Sequence, residues 1–338
     1  MIVLAWLCFI VFILGMVALD LGVLNRDPHA VSMRGSMMWT AFWVALALCF
    51  NVLVYFAYEH HWLGLGTNLH HATTGRSAAV EFFTGYVIEE SLSLDNIFVI
   101  ALIFRFFKIP AQLHHRVLFW GILGALVMRG IMIGAGGALI ERFEWTIYGF
   151  GVLLLYTAAK MMLGGHTDID PSKTLLVRVT RRFFPITNRL DGKKFFVIEN
   201  GKRTATLLFV TLMAIEGADV LFAVDSIPAI FSVTLDPFIV FTSNIFAILG
   251  LRSLYFALSA TLHKFRYVQT SLTFMLAFIG VKMLLSQHFD LPAWVSLSVI
   301  AGFLSLGIIA SLLYPGTPER ELADNATEQT DGDESQAD

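Results

Sequence analysis

Acidic side chains interrupt two long apolar stretches of this 338-residue sequence. The first stretch carries Glu89 and Asp95, and the second carries Glu216, Asp219 and Asp225. A carboxylate at the centre of a membrane-spanning helix costs about 2.5–3.5 kcal/mol even on a permissive insertion scale, so such groups usually mark a functional site. Carboxylate and carbonyl oxygens suit Mg²⁺, Ca²⁺ and Mn²⁺ better than copper or a thiolate zinc site. The five acids therefore predict a divalent-cation site.

Neutral oxygen donors lie beside the two central aspartates. Asn96 follows Asp95 and Ser226 follows Asp225, and we predict both as auxiliary ligands. Residues six apart are separated by about 240° on a continuous helix, so the two acids of each pair do not share a face. A single site that uses both acids of a pair therefore needs a broken helix or ligands from several helices.

The second acidic stretch contains a signal for such a break. Pro228 cannot donate a backbone hydrogen bond to Val224, and Gly217 adds backbone freedom. The apolar run 204–233 is also longer than one untilted span needs. We predict a helix break between Val224 and Pro228, which would free backbone carbonyls as ligands.

Two arginines, Arg129 and Arg252, lie within other apolar stretches and could neutralise two of the carboxylates. Purely structural ion pairing is therefore an alternative to metal binding, although two or three acids would remain unpaired. Cation binding is the more economical interpretation, with the arginines as locks or as internal counter-charges when the site is empty. Asp20, near the end of the first apolar stretch, is a further candidate, although an interfacial position would also explain it.

The composition predicts an integral membrane protein. Hydrophobic residues make up 57% of the chain, charged residues 14%, and the mean hydropathy is +0.71, whereas soluble domains are about 25% charged. The net charge of −3 gives no basis for nucleic-acid binding. The bilayer is the expected partner, and protein partners stay open. Apolar stretches long enough to cross it predict about nine helices, at 2–24, 38–58, 80–104, 116–140, 145–163, 204–233, 238–260, 267–286 and 292–314.

The basic residues predict the orientation in the membrane. The segment 164–203 carries nine of the 23 lysines and arginines, which the positive-inside rule places in the cytoplasm. With nine spans, the N-terminus is then outside and the C-terminus is cytoplasmic. Within this segment, the run 195–198 followed by Asn200-Gly201 predicts a small hairpin. The acidic tail is expected to be disordered.

The acidic motifs belong to an internal duplication. The stretch 89–97 matches 219–227 in the order acid, aspartate, small polar residue and isoleucine. The stretches that end at Arg129 and Arg252 match, and so do those that begin at Lys160 and Lys282. Each unit has three spans, so the second must be inverted relative to the first, as in secondary transporters with a midplane site. We expect Asp95 and Asp225 to approach each other there.

These patterns divide the chain into six parts. They are two N-terminal helices with an outer loop (1–79), the first three-helix repeat (80–163), a basic cytoplasmic loop with a hairpin (164–203), the second repeat (204–286), a final helix (287–314) and the acidic tail (315–338). The predicted fold is an all-α polytopic membrane protein with an inverted three-helix repeat.

The motifs resemble those of the TerC family of bacterial membrane proteins, and specifically its Alx-type members. The similar stretches are TGYVIEESLSLDNIFV at 84–99, DVLFAVDSIPAIF at 219–231, DPFIV at 236–240 and TSNIFAILGLR at 242–252. The resemblance implies an inner-membrane protein of a family related to LysE-type exporters, and it implies that the Alx-like members of the TerC family export Mn²⁺. By position, the five acids match the acids of the family motifs, and Asp20 matches an acid of the first span. Glu90 departs from the pattern, since lysine is common there, and we leave it out of the core set.

The expected function is therefore the export of a divalent cation, with Mn²⁺ as the first candidate. Mn²⁺ would be a substrate, and no cofactor is expected. No Walker, nucleophile-elbow or zincin motif is apparent in the sequence, so we expect no enzyme. Two alternatives stay open: a scaffold or metallation factor linked to metal or tellurite stress, and an exporter of another solute. The sequence does not distinguish Mn²⁺ from Ca²⁺ or Zn²⁺.

Overall fold

Long α-helices account for most of the chain. The computed structural model describes residues 1–24, 33–67, 74–143, 145–163, 174–187, 190–199, 201–258, 266–286 and 291–314. The helices are α1 (Ile2–Leu24), α2 (Met33–Glu59), α3 (Gly75–Phe106), α4 (Ala111–Arg142), α5 (Thr146–Met162), α6 (Leu175–Phe183), α7 (Leu207–Phe231), α8 (Pro237–Leu258), α9 (Arg266–Leu285) and α10 (Ala293–Leu313). Strands β1 (Phe196–Glu199) and β2 (Lys202–Ala205) precede α7.

The length and apolar character of the helices confirm an all-α membrane protein. Within the described ranges, six helices are long and apolar enough to cross a bilayer, namely α2, α4, α7, α8, α9 and α10. The apolar parts of α1 and α5 are shorter. Helix α3 spans 32 residues, but four acids, Glu81, Glu89, Glu90 and Asp95, interrupt its apolar sequence. The nine spans therefore stay a prediction, although a long helix lies at each predicted position.

Helices α3 and α8 run in the same direction at the centre of the bundle. A Cβ added at Gly85 of α3 would lie 2.8 Å from Ser243 Oγ of α8, and one added at Gly250 of α8 would lie 3.9 Å from the Glu90 carboxylate of α3. The second contact lies further toward the C-terminus than the first on both helices, so α3 and α8 are parallel. Most of α8 is buried, so it forms the core against which α2, α3 and α4 pack.

Helices α4 and α7 form a second parallel pair. The position of a Cβ at Gly121 of α4 is 3.7 Å from Ile215 of α7, and fifteen residues further on, a Cβ at Gly136 would be 3.0 Å from the Phe231 ring. The glycines let the two backbones approach closely, as small residues do between membrane helices.

Helices α5 and α9 cross with direct backbone contact. A Cβ at Gly151 would lie 3.1 Å from the Gly280 carbonyl oxygen, and a Cβ at Gly280 would lie 3.0 Å from the Gly151 carbonyl oxygen. Ile147, at the start of α5, and Met283, near the end of α9, line the same cavity of about 580 Å³. The two helices are therefore antiparallel.

The predicted hairpin is confirmed, whereas α6 was not predicted. The strands pair with Phe196 opposite Ala205 and Glu199 opposite Lys202, so they are antiparallel. Gly201 has a positive φ of 74°, as a tight hairpin turn favours. Helix α6 is only nine residues long, and its arginines made this stretch look like part of a basic loop. The acidic tail lies outside the described residues.

The predicted break in α7 is wrong. Helix α7 is continuous from Leu207 to Phe231 with Pro228 inside it. Because Pro228 lies three residues before the helix end, it removes one hydrogen bond, the one to Val224, and leaves the preceding turns intact. Residues 226–231 are all buried, so packing holds this last turn in place. The predicted cation site would therefore have to draw its ligands from side chains on several helices.

The close crossing of α5 and α9 gives a test of the fold. Gly151→Ala should lower the free energy of unfolding by about 1–3 kcal/mol, the usual effect of forcing extra atoms into a packed contact. Gly149→Ala, on the same helix, is the matched control because no atom lies within 4 Å of its added Cβ. Thermal unfolding of the purified protein in detergent measures both. Equal midpoints for the two variants would contradict the described crossing.

Candidate functional site

A buried arginine lies where three helices meet. Arg129 of α4 is 1% exposed and donates through Nη1 to Glu89 Oε1 of α3. It also binds Asp219 of α7 with two donors, Nη2 to Oδ1 at 2.8 Å and Nε to Oδ2 at 3.2 Å. A two-point contact of this kind between guanidinium and carboxylate fixes orientation as well as charge. Glu89 and Asp219, which match each other in the predicted repeat, thus share one arginine.

Asn244 of α8 completes this group. Its Nδ2 donates to Glu89 Oε2 at 3.1 Å, and its Oδ1 accepts from Arg129 Nη1 at 3.2 Å. Glu89 and Asn244 are both fully buried, so their polar atoms need partners within the protein. We refer to Arg129, Glu89, Asp219 and Asn244 as the Arg129 network.

A small cavity of about 30 Å³ adjoins the Arg129 network. Asn96, Glu216 and Asp219 line it, together with mostly apolar side chains. Among the described residues, Asn96 Oδ1 has no hydrogen-bond partner. A cavity of this size holds about one water molecule or one small ion. Three of the predicted ligands, from α3 and α7, therefore line one small cavity.

The Glu216 side chain depends on a glycine for its position. It is 6% exposed and packs against α4 at Gly121 and Gly124. A Cβ at Gly124 would overlap the Glu216 carboxylate. Gly124 therefore provides the space that the carboxylate occupies beside the cavity.

Asp95 and Asp225 contact other helices. Gln269 Nε2 of α9 donates to Asp95 Oδ1 at 3.4 Å, and Thr157 Oγ1 of α5 donates to Asp225 Oδ1 at 2.9 Å. The Lys160 ammonium also acts on Asp225 electrostatically. Within the described part of the chain, no three His, Cys, Asp or Glu side chains gather closely enough to hold a metal ion. The five predicted acids thus occupy several positions in this conformation.

The remaining predicted residues have different surroundings. Arg252 of α8 is buried. Ser226 is buried as well, and its Oγ has no hydrogen-bond partner among the described groups. The Asp20 side chain lies outside the described residues. The Glu90 carboxylate lies beside Gly250 of α8, and its Oε2 is buried without a hydrogen-bond partner in the described structure.

Sequence reasoning missed three polar partners of the acids: Asn244, Thr157 and Gln269. Each is an uncharged polar residue inside an otherwise apolar helix, which is the signal that could have identified it. Asn244 lies in the stretch 242–252, in which Arg252 alone is charged. Uncharged groups cost less in a membrane than charged ones, so they draw less attention in a sequence.

The helices and their buried charges define a polytopic membrane protein with an ionic interior. Comparison with known sequences then identifies the family. Residues 74–318 match the profile of the integral membrane protein TerC family, and the chain belongs to this family. The TerC resemblance of the motifs, including the Alx-type pattern, is confirmed.

Similar proteins occur in several bacteria. "Uncharacterized membrane protein STKORF319" of Myxococcus xanthus is 48% identical over 308 residues, which cover 91% of this chain and 92% of the relative. "Putative membrane-bound redox modulator Alx" of Escherichia coli (strain K12) is 42% identical over 311 residues, with 90% and 93% covered. An uncharacterized membrane protein of Rickettsia bellii is 38% identical over 317 residues, with 94% and 100% covered. No solved structure gives a significant match.

The Arg129 network predicts a strong effect of removing the arginine. Arg129→Gln leaves two carboxylates buried without their cation, and we expect a loss of about 3–5 kcal/mol in stability. Arg142→Gln is the control, since Arg142 lies exposed at the end of the same helix. Chemical or thermal unfolding in detergent compares the two. A loss no larger than that of Arg142→Gln would contradict the central role of the network.

Proposed function

We propose that this chain is a secondary-type transporter that exports a divalent cation, with Mn²⁺ as the first candidate substrate. The observation that carries the proposal is the small cavity lined by Glu216, Asp219 and Asn96. It offers two carboxylates and one amide oxygen in an otherwise mostly apolar space. Hard oxygen donors of this kind favour Mn²⁺, Mg²⁺ or Ca²⁺ over softer metals.

The charges around the cavity support a divalent cargo. Glu89, Asp219 and Glu216 carry three negative charges when ionised, and Arg129 carries one positive charge. The balance is −2, which one divalent cation neutralises. Because uncompensated charge inside a membrane is costly, loading with a divalent ion stabilises the ionised form of this group. Proton binding by the same carboxylates would compete with the metal, because a ligand must be deprotonated to bind it.

The packing of the helices supports the inverted repeat. An inverted repeat exchanges α3 with α7, α4 with α8, and α5 with α9. This exchange converts the parallel pair α3–α8 into the parallel pair α7–α4, and it maps the antiparallel pair α5–α9 onto itself. It also relates the contact of Asp95 with α9 to the contact of Asp225 with α5. In this interpretation the Arg129 network lies near the midplane, where transporters of this architecture bind their substrates.

The positions of Asp95 and Asp225 fit a path for the cation better than a single site that both share. Ser77, early in α3, and Phe231, at the end of α7, line one cavity, so the two helices run in opposite directions. Asp95 and Asp225 each lie six residues beyond an acid of the Arg129 network, about 9 Å along the helix axis. They therefore extend to opposite sides of the network. We infer that a cation passes from one aspartate to the other through the Glu216 cavity by alternating access.

Glu216 gives the sharpest test of transport. Glu216→Gln preserves the shape of the side chain and removes one of the two carboxylates of the cavity. We expect Mn²⁺ efflux in proteoliposomes to fall at least about tenfold, which corresponds to about 1.4 kcal/mol. Glu141→Gln, which removes an exposed acid at the end of α4, should keep wild-type flux. A panel of Mn²⁺, Ca²⁺, Zn²⁺ and Mg²⁺ defines the selectivity.

The outcomes separate the proposed functions. Wild-type flux in Glu216→Gln would reject the cavity as the transport site. Absence of metal flux in wild-type vesicles, together with stable copurifying partners, would favour a scaffold or metallation factor.

The relative in E. coli is named as a putative redox modulator. This chain's two cysteines, Cys8 and Cys49, are free and exposed on α1 and α2. Replacing both with serine should leave Mn²⁺ flux unchanged.

Gly124 provides an independent test that leaves every carboxylate in place. Gly124→Ala adds a methyl group where the Glu216 carboxylate lies, so the flexible acid must move away from its present position. We expect a several-fold loss of Mn²⁺ flux in a protein that still inserts into the membrane. Gly134→Ala on the same helix is the matched control, because its added Cβ meets no atom within 4 Å. Equal Mn²⁺ flux in both variants would show that transport does not depend on the position of the Glu216 carboxylate.

A further inference from the structure

Helix α6 presents an uncovered apolar stripe. Leu175, Val179 and Phe183 are 70%, 43% and 72% exposed. They are spaced four residues apart, so they lie along one side of the helix. A different side of α6 packs against α7, and Val177 and Thr180 are buried there. The stripe thus faces away from the protein.

A basic sector adjoins the stripe. Arg178, Arg181 and Arg182 are all exposed. At about 100° per residue, Arg182 borders the apolar stripe beside Leu175, and Arg178 and Arg181 continue around the exposed surface toward the contact side. Two of the three, Arg181 and Arg182, lie in the last turn of the helix, whereas its first three residues, 175–177, are apolar. The charge of α6 is therefore concentrated toward its C-terminal end.

The position of α6 along α7 determines its depth. A Cβ at Gly217 would lie 3.2 Å from Thr174, the residue that precedes α6. Gly217 is ten residues inside α7, about 15 Å from its start. Beyond the other end of α6, Ala205 donates to the Pro185 carbonyl just before α7 begins. Helix α6 therefore lies antiparallel to the first half of α7.

This placement puts α6 within one leaflet of the bilayer. Helix α7 is long and apolar enough to span the membrane, so a helix beside its first half is surrounded by lipid rather than by bulk water. The apolar N-terminal end of α6 is deepest. Arg181 and Arg182, near the other end, then lie close to the level of the headgroups, and Arg178 can extend toward them.

We propose that α6 is a leaflet-embedded amphipathic helix that binds anionic phospholipids. The acyl chains cover Leu175, Val179 and Phe183, and the three arginines bind the phosphate groups. Charge complementarity selects anionic headgroups over zwitterionic ones, as it does for basic amphipathic helices at membrane surfaces. The proposal concerns a surface outside the cation cavity and does not depend on transport.

The depth of α6 is tested by fluorescence quenching. In full-length protein with Cys8→Ser and Cys49→Ser, Leu175→Cys is labelled with an environment-sensitive fluorophore. The protein is then reconstituted into vesicles whose phosphatidylcholine carries brominated acyl chains. We expect the emission to fall at least about twofold relative to unbrominated vesicles. A label at Lys193→Cys, in the exposed segment before the hairpin, should be little quenched. Equal quenching of the two labels would overturn the proposed depth.

The choice of lipid is tested by thermal stability in bilayers. The protein is reconstituted in phosphatidylcholine alone and in a mixture of about 3:1 phosphatidylcholine to phosphatidylglycerol. We expect phosphatidylglycerol to raise the unfolding temperature of the wild type by several degrees. Arg178→Gln/Arg181→Gln/Arg182→Gln should abolish this shift, whereas Lys193→Gln/Lys202→Gln/Arg203→Gln, with the same loss of charge, should retain it. Equal loss in both triple variants, or no shift in the wild type, would overturn the anionic-lipid site.

Discussion

The interior of this protein is organised by one requirement: a guanidinium buried in a membrane must be fully paired. Arg129 meets this requirement through Glu89 and Asp219 on two other helices, and Asn244 supplies the remaining polar contact. Because Arg129, Glu89 and Asn244 are buried, their charged and polar atoms need partners within the protein, and α3, α4, α7 and α8 converge to supply them. The close helix approaches at Gly121 and Gly124 follow from the same convergence, because bulkier side chains would hold α4 and α7 apart.

The ion pairs of Arg129 leave an excess of negative charge around the cavity. Arg129 compensates one of the charges of Glu89 and Asp219, and Glu216 lies one turn from Asp219 on the same helix. An apolar pocket with surplus carboxylates is unfavourable when empty and ionised, and it is stabilised either by protons or by a cation. This competition connects the structural role of the ion pairs with the proposed transport role, which the sequence had presented as alternatives.

The sequence identified those residues that are each costly to place in an apolar helix. Buried charges such as Glu89 and Arg129 stand out in apolar stretches, and the family followed from the motifs around them. It did not reveal which acids share the arginine, since pairing depends on how distant helices pack. The expected break at Pro228 was wrong because a proline near a helix end removes little. Helix α6 escaped notice because the amphipathic pattern covers only nine residues.

The fixed cation at the centre of the molecule also limits how tightly a metal ion could be held there. On the route proposed above, the guanidinium of Arg129 offsets one of the three negative charges of Glu89, Asp219 and Glu216, so a net charge of −2 remains when these acids are ionised. In a medium of low dielectric constant, a nearby positive charge weakens the hold of these carboxylates on a cation. Passage of an ion through a membrane protein requires binding that is strong enough for entry and weak enough for release. In the proposed mechanism, the permanent charge of Arg129 therefore favours release of the metal ion over its retention.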